Sequence, residues 1–258
     1  MGIATVITSG KGGVGKSTLA VGLGRALAQR GRRVLLVDCD AGLRSLDRMT
    51  GTEENLVFDI ADVVFARCSP AEAIYPCGGA EGLFLLPAPS LGEDFIRPGV
   101  MKKLVPLLKR YYDHVLLDSP AGVGGGFRSA AAGADRALVV CNPDPVCVRG
   151  AATARELLER LEVPQARLVI NRFHGKLFQQ TGAYGDLDGV IDGAGIRLLG
   201  VVPEDYSLAA SFLRGQGAPE DSPGMKALCR IAGRIEGASI PIAGLLAPVG
   251  TLHRWGAN

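Results

Sequence analysis

Gly10-Lys11-Gly12-Gly13-Val14-Gly15-Lys16-Ser17-Thr18 follows an apolar, β-branched run at residues 3–8 and opens a stretch with helical spacing at 16–29. These residues satisfy G-x-x-x-x-G-K-[ST] in the strand–loop–helix setting that separates a phosphate-binding loop from a chance glycine turn. Glycines let successive backbone N–H groups turn inward on phosphate oxygens, and the helix start adds its positive end. Lys16 would reach the β- and γ-phosphates, Ser17 would ligate Mg2+, and Thr18 can donate to the α-phosphate. Such a loop requires one lysine. Lys11 is surplus and needs its own account.

A phosphate loop that works with Mg2+ also needs a carboxylate near the metal. His114-Val115-Leu116-Leu117-Asp118 is an apolar strand ending in an acid, which predicts Asp118 at the strand's carboxyl end, level with the loop. The glycines at 122 and 124–126 suit a segment that senses the γ-phosphate. A second apolar strand ends Val37-Asp38-Cys39-Asp40, with two acids at its terminus. Of these Asp40 is the better candidate to face the γ-phosphate and orient a water; a helix-capping or turn role is the alternative.

Around these motifs, apolar runs alternate with helical stretches. Strands are expected at 3–8, 33–37, 83–87, 114–118, 137–141, 167–170 and 197–202, and helices at 16–29, 100–110, 151–161 and 225–235. Most strands lack period-two alternation, as strands buried on both faces of a parallel sheet do. The expected fold is therefore α/β, a doubly wound, mostly parallel sheet flanked by helices, with ligands at the carboxyl ends of the strands. Residues 1–237 read as a single domain and 238–258 as a tail; 172–195, glycine-rich and polar, reads as a long loop with at most one short helix. A length of 258 residues suffices for a self-sufficient core. The net charge of +2 gives no case for non-specific nucleic-acid binding. The six cysteines form no C-x-x-C pair and read as reduced thiols of a cytoplasmic protein. The first strand runs straight into the glycine loop, so no secretory leader is expected.

The three stretches GKGGVGKST, DCDAGLRSLD and DSPAG, joined by NPDPVCVR at 142–149, NR at 171–172 and GVVPED at 200–205, resemble the MinD/ParA family of deviant-Walker-A ATPases in order and spacing. Within it the resemblance is greatest to the branch that places the cell-division site, and it runs from residue 3 to about residue 234. It implies a P-loop NTPase fold, Mg2+-dependent hydrolysis of ATP to ADP, and face-to-face pairing of two ATP-loaded copies. Lys11 matches the signature lysine that reaches across to the partner's phosphates, in the manner of an arginine finger supplied in trans. Asp40 and Asp118 match the acids that serve the metal and the water. Asn171, Arg172, Pro203, Glu204 and Asp205 match the adenine-contacting positions.

Two stretches depart from the family pattern. The tail carries Pro241 and Pro248, one arginine and no lysine, so it lacks a basic amphipathic membrane helix. Leu245, Leu246, Leu252 and Trp255 could still meet a lipid surface, but packing on the protein itself or on a partner is the favoured expectation. The stretch Gly150-Ala151-Ala152-Thr153-Ala154 lacks the acids found where family members dock their regulators, so the identity of any regulatory partner stays open. The expected job is a nucleotide switch, an ATP-driven homodimer that positions something else in the cell. A ParA-like DNA-segregation ATPase and a nucleotide-binding scaffold without hydrolysis are the alternatives; DNA binding is disfavoured by the absence of lysine runs, and an inert scaffold by the intact Lys16, Ser17, Asp40 and Asp118.

Overall fold

The structure is a computed structural model that describes residues 1–89, 96–219 and 221–242. The central strands form because their residues are almost uniformly apolar. β1 (Ile3–Thr8), β2 (Val34–Asp38), β5 (His114–Asp118) and β6 (Arg136–Cys141) are buried along nearly their whole length. A strand without a polar face has to be covered on both sides. The described residues build one eight-stranded sheet in the order β3-β4-β2-β5-β1-β6-β7-β8, adding β3 (Tyr75–Pro76), β4 (Leu83–Leu86), β7 (Ala166–Phe173) and β8 (Leu198–Pro203). All neighbours are parallel except the short hairpin strand β3, antiparallel to β4. The helices that cover the sheet include α1 (Lys16–Ala28), α4 (Pro98–Leu108), α6 (Pro145–Arg160) and α10 (Pro223–Ile235). The doubly wound parallel fold expected from the sequence is the fold observed.

Register fixes where chemistry can occur. Ile7 of β1 lies opposite Asp118 of β5, and Asp118 lies opposite Asp38 of β2. The glycine loop and both acidic strand ends therefore leave the sheet at one edge, beside the point where strand order reverses.

The segment 172–195 differs from its expectation. It holds two helices, α7 (Gly175–Thr181) and α8 (Leu187–Ala194), between the intervening α2 (Ser45–Thr50), α3 (Ile60–Val64) and α5 (Gly125–Ala131) upstream and β8 downstream. Its glycines were misleading because two of them end helices. Gly182 and Gly195 adopt left-handed φ of 58° and 64° as C-caps, while His174 and Asp186 cap the amino ends. Helix α6 also begins earlier than its apolar spacing implies, at Pro145. Asp144 Oδ1 accepts from the N–H groups of Val146 and Cys147, both at 3.0 Å.

One carboxylate ties two helices together. Asp205 precedes α9 (Tyr206–Leu213) and accepts from Leu208 N (2.9 Å) and Ser207 Oγ (2.6 Å) through Oδ1. Its Oδ2 accepts from Ser222 Oγ (2.6 Å) and Gly224 N (3.0 Å) at the start of α10, and Ser222 Oγ in turn caps Met225 N at 2.9 Å. Burial raises the Asp205 carboxyl, but these donors outweigh it and hold it at about 2. Of the expected tail, 238–242 are described, and Arg234 donates to the carbonyls of Ile240 (2.9 Å) and Pro241 (3.0 Å). Leu245, Leu246, Leu252 and Trp255 lie outside the described residues.

Asp205→Ala is expected to cost about 2 kcal/mol in urea unfolding, since it removes the caps of two helices at once. A carboxyl depressed below its ordinary value of 3.8 stabilises the fold above that pH and loses the contribution as pH falls through about 2. The gap between wild type and variant should therefore be full at pH 5 and should narrow on acidification towards pH 2.

Candidate functional site

The loop after β1 is shaped by close approach. A Cβ on Gly10 would sit 2.0 Å from the carbonyl oxygen of Gly150, so the loop starts in contact with the backbone of α6. A glycine inside a helix is otherwise unfavourable, and here it clears the space the loop occupies. Ser9 Oγ donates to Lys11 O at 2.7 Å and sets the first turn. Gly15, at φ 92°, is the N-cap of α1 and makes no side-chain cap, which leaves the first N–H groups of that helix available to an anion.

The two lysines of the loop have opposite environments. Lys16 is 8% exposed; burial lowers its affinity for the proton, and Asp118 and Asp40 oppose that loss. Lys11 is exposed and lies on the side of the loop that faces the start of α6, where its charge helps to lower Asp144. The structure thus brings Lys16, Ser17, Asp40 and Asp118 together and leaves Lys11 outside that group.

Asp118 is 1% exposed, and neither carboxylate oxygen finds a well-oriented hydrogen-bond partner among the described residues. Burial pushes its carboxyl well above the usual carboxylate range, while the adjacent Ser17 hydroxyl and Lys16 ammonium pull the other way. A buried carboxylate with two orphaned oxygens beside a hydroxyl and a second acid is a donor set of hard oxygens, the chemistry that Mg2+ takes. The residues present fit that ion. Asp38 is also buried, and burial together with the facing Asp118 raises its carboxyl. Its oxygens, however, are engaged by backbone N–H groups of Asp40 and Leu46.

The remaining expected residues meet on the other side of Gly15. A cavity of about 240 Å3 is lined by Gly15, Thr18, Asn171, Arg172, the 203–206 loop and an apolar wall of Leu208 and Leu228. Its geometry comes from a bulge. Between the pairs Ile170–Val201 and Phe173–Pro203, two residues of β7 oppose one of β8, and Arg172 takes a left-handed φ of 52°. Asn171 consequently turns towards the loop and donates Nδ2 to Val14 O at 2.7 Å. Arg172 sits 3.9 Å from Glu204. Asp205 and Tyr206 both border this cavity, and the Asp205 carboxylate is engaged in the two helix caps. Tyr206 and the loop-packing role of Gly150 escaped the sequence reading, which weighed Asp38 only as the weaker of the two acids that close β2. Gly150 carried one signal, a glycine within a helical stretch, and Tyr206 carried none.

The profile described as CobQ/CobB/MinD/ParA nucleotide binding domain matches residues 5–218. The septum site-determining protein MinD of Bacillus subtilis is 39% identical over 247 residues, covering 94% of this chain and 92% of the relative. Among solved structures, the MinC:MinD cell division protein complex of Aquifex aeolicus superposes with a TM-score of 0.84 at 35% identity, covering 93% of this chain and 97% of that one. MinD of Pyrococcus horikoshii, complexed with Mg-ADP, gives a TM-score of 0.82 at 27% identity, covering 92% and 97%. No helix among the described residues is long and apolar enough to cross a membrane.

The contact between loop and helix is asymmetric, which makes it testable. A Cβ on Gly10 meets backbone at 2.0–2.4 Å, whereas one on Gly150 meets Gly10 at 3.1–3.3 Å. Gly10→Ala should abolish binding of a fluorescent ATP analogue, while Gly150→Ala should weaken it by less than about tenfold, or 1.4 kcal/mol. Equal losses from the two variants would contradict this packing.

Proposed function

The chain belongs to the MinD/ParA family of P-loop ATPases, and from that premise we propose that it is a Mg2+-dependent ATPase whose ATP-loaded copies pair face to face, as a switch that places the cell-division site or a related cargo. The observation that carries the reading is the contrast between the two lysines: Lys16 is buried among the acids, and Lys11 is held outside them on the same loop. The backbone N–H groups from Gly12 to Ser17 and the Lys16 ammonium would cradle the phosphates, and Thr18 would donate to the α-phosphate. Gly13, Val14 and Gly15 supply the curvature of that cradle. Ser17, Asp118 and Asp40 would hold Mg2+, which when bound offsets the charge of the β- and γ-phosphate oxygens. Asp40 would orient the attacking water. Asn171, Arg172 and the Pro203–Asp205 loop border the cavity into which adenine would fit, with Asn171 joined to the cradle through Val14.

Lys11 completes the site only when a second copy arrives. Charge delivered at that moment lowers the barrier to phosphoryl transfer, and fingers of this kind are worth roughly 10³–10⁵ in rate. Hydrolysis is then tied to assembly, and a slow basal rate open to stimulation by a regulatory protein follows.

Lys16→Ala should lose ATP binding in equilibrium titration. Lys11→Ala should bind ATP normally, yet stay monomeric in size-exclusion chromatography with ATP and Mg2+ and lose hydrolysis by about three orders of magnitude. A normal ATP-dependent dimer from Lys11→Ala would rule out the role in trans.

A further inference from the structure

Asp38 lies at the end of β2, 1% exposed, opposite Asp118 of β5. It is an expensive residue to bury. Its two oxygens are used separately. Oδ1 accepts from the backbone N–H of Asp40 at 2.9 Å, and Oδ2 accepts from the backbone N–H of Leu46 at 3.2 Å. These amides stand at the entrance and the exit of the loop that joins β2 to α2. Leu46 is itself fully buried in the second position of α2, and the N-cap residue of that helix, Arg44, contributes no side-chain cap. A single carboxylate therefore caps α2 from a distance and grips the backbone of Asp40.

Between the two pins the loop makes its own turn, and Arg44 adds an ion pair to Asp47 at 3.5 Å. Leu43 N and Arg44 N donate to Asp40 O at 3.3 and 3.0 Å, Arg44 takes a left-handed φ of 43°, and Leu43 is 74% exposed. On the other side of Asp40, Cys39 N donates to Asp118 O at 3.0 Å and ties the end of β2 to β5. We propose that Asp38 is the positioning residue for Asp40: it clamps the 40–46 loop at both ends so that the Asp40 carboxylate is delivered to the metal and water side of the site. With both its oxygens consumed by backbone, Asp38 does not touch the phosphates. This role needs an acid, because asparagine offers one acceptor oxygen and would turn its NH2 against one of the two N–H groups. The proposal rests on the reading of Asp40 as a hydrolytic residue for its kinetic consequence, but not for its structural one.

The test has one arm for each. In wild-type protein, amide hydrogen exchange followed by NMR should show Asp40 and Leu46 protected, while Ala41 and Gly42 exchange rapidly. In Asp38→Asn, exchange across 40–46 should accelerate while that of β1, β5 and the 10–18 loop is unaltered. Steady-state kinetics of the same variant should show kcat reduced by about a hundredfold, the scale of an ångström misplacement of a reacting group, with ATP affinity within about threefold of wild type. Unprotected Asp40 and Leu46 amides in the wild type, or unaltered exchange in the variant, overturns the clamp. Loss of ATP binding in parallel with kcat also overturns it, since that marks a general structural role. A wild type that binds but never hydrolyses ATP defeats the functional reading of Asp40, and the exchange arm still decides the clamp. Should Asp38→Asn fail to fold, the wild-type amides decide it alone.

Discussion

The arrangement depends on one constraint, the parallel register that sets Ile7, Asp118 and Asp38 side by side across β1, β5 and β2. Parallel strands covered by helices on both faces end level, and polar groups can leave the apolar layer only at that edge. The glycine loop, the acid of β5 and the acid-bearing end of β2 converge there without any long connection. A slip of one residue in β5 would send the Asp118 side chain to the opposite face of the sheet. The site is thus as secure as the packing of a core whose central strands are closed to solvent.

That security has an electrostatic cost concentrated in three side chains. Asp38, Asp118 and Lys16 all lie in the buried layer, and each is driven by burial towards its neutral form. They differ in how the cost is met. Asp38 spends its oxygens on backbone N–H groups and becomes part of the framework. Lys16 leans on two neighbouring carboxylates. Asp118 has neither resource in full, with both oxygens orphaned beside a serine hydroxyl. A buried acid in these surroundings is a donor that fits a hard cation, in line with the proposed Mg2+ role.

What could be read from the sequence follows from what is local. Apolar runs without alternation announced buried parallel strands, and the glycine loop announced itself because its spacing is a backbone requirement. Segment 172–195 misled because glycine serves both loops and helix stops, and only the left-handed φ at Gly182 and Gly195 distinguishes them. The bulge at Asn171 and Arg172 has no sequence signature, since it arises from pairing two residues of β7 against one of β8. The Gly10–Gly150 contact joins residues far apart in the chain, and a lone sequence carries no trace of such proximity. Asp205 shows the converse. It stands where a base-contacting residue is expected, yet its carboxylate is absorbed by two helix caps, a role that depends on α10 arriving beside α9.

The two lysines of the loop show how one motif can separate binding from commitment. Lys16 bears its desolvation in every copy of the protein, because the core encloses it whether or not another molecule is present. Lys11 bears none while it remains in water, and so adds nothing unfavourable to the folded chain. Its desolvation falls due only when a surface closes over it. That closure is favourable where concentrated negative charge waits on the other side, and phosphates at a second copy's site would supply it. In the proposed pairing, a charge kept solvated until assembly would reward loaded copies over empty ones. Under that proposal the exposed lysine, rather than the buried one, would turn a nucleotide-binding fold into a switch.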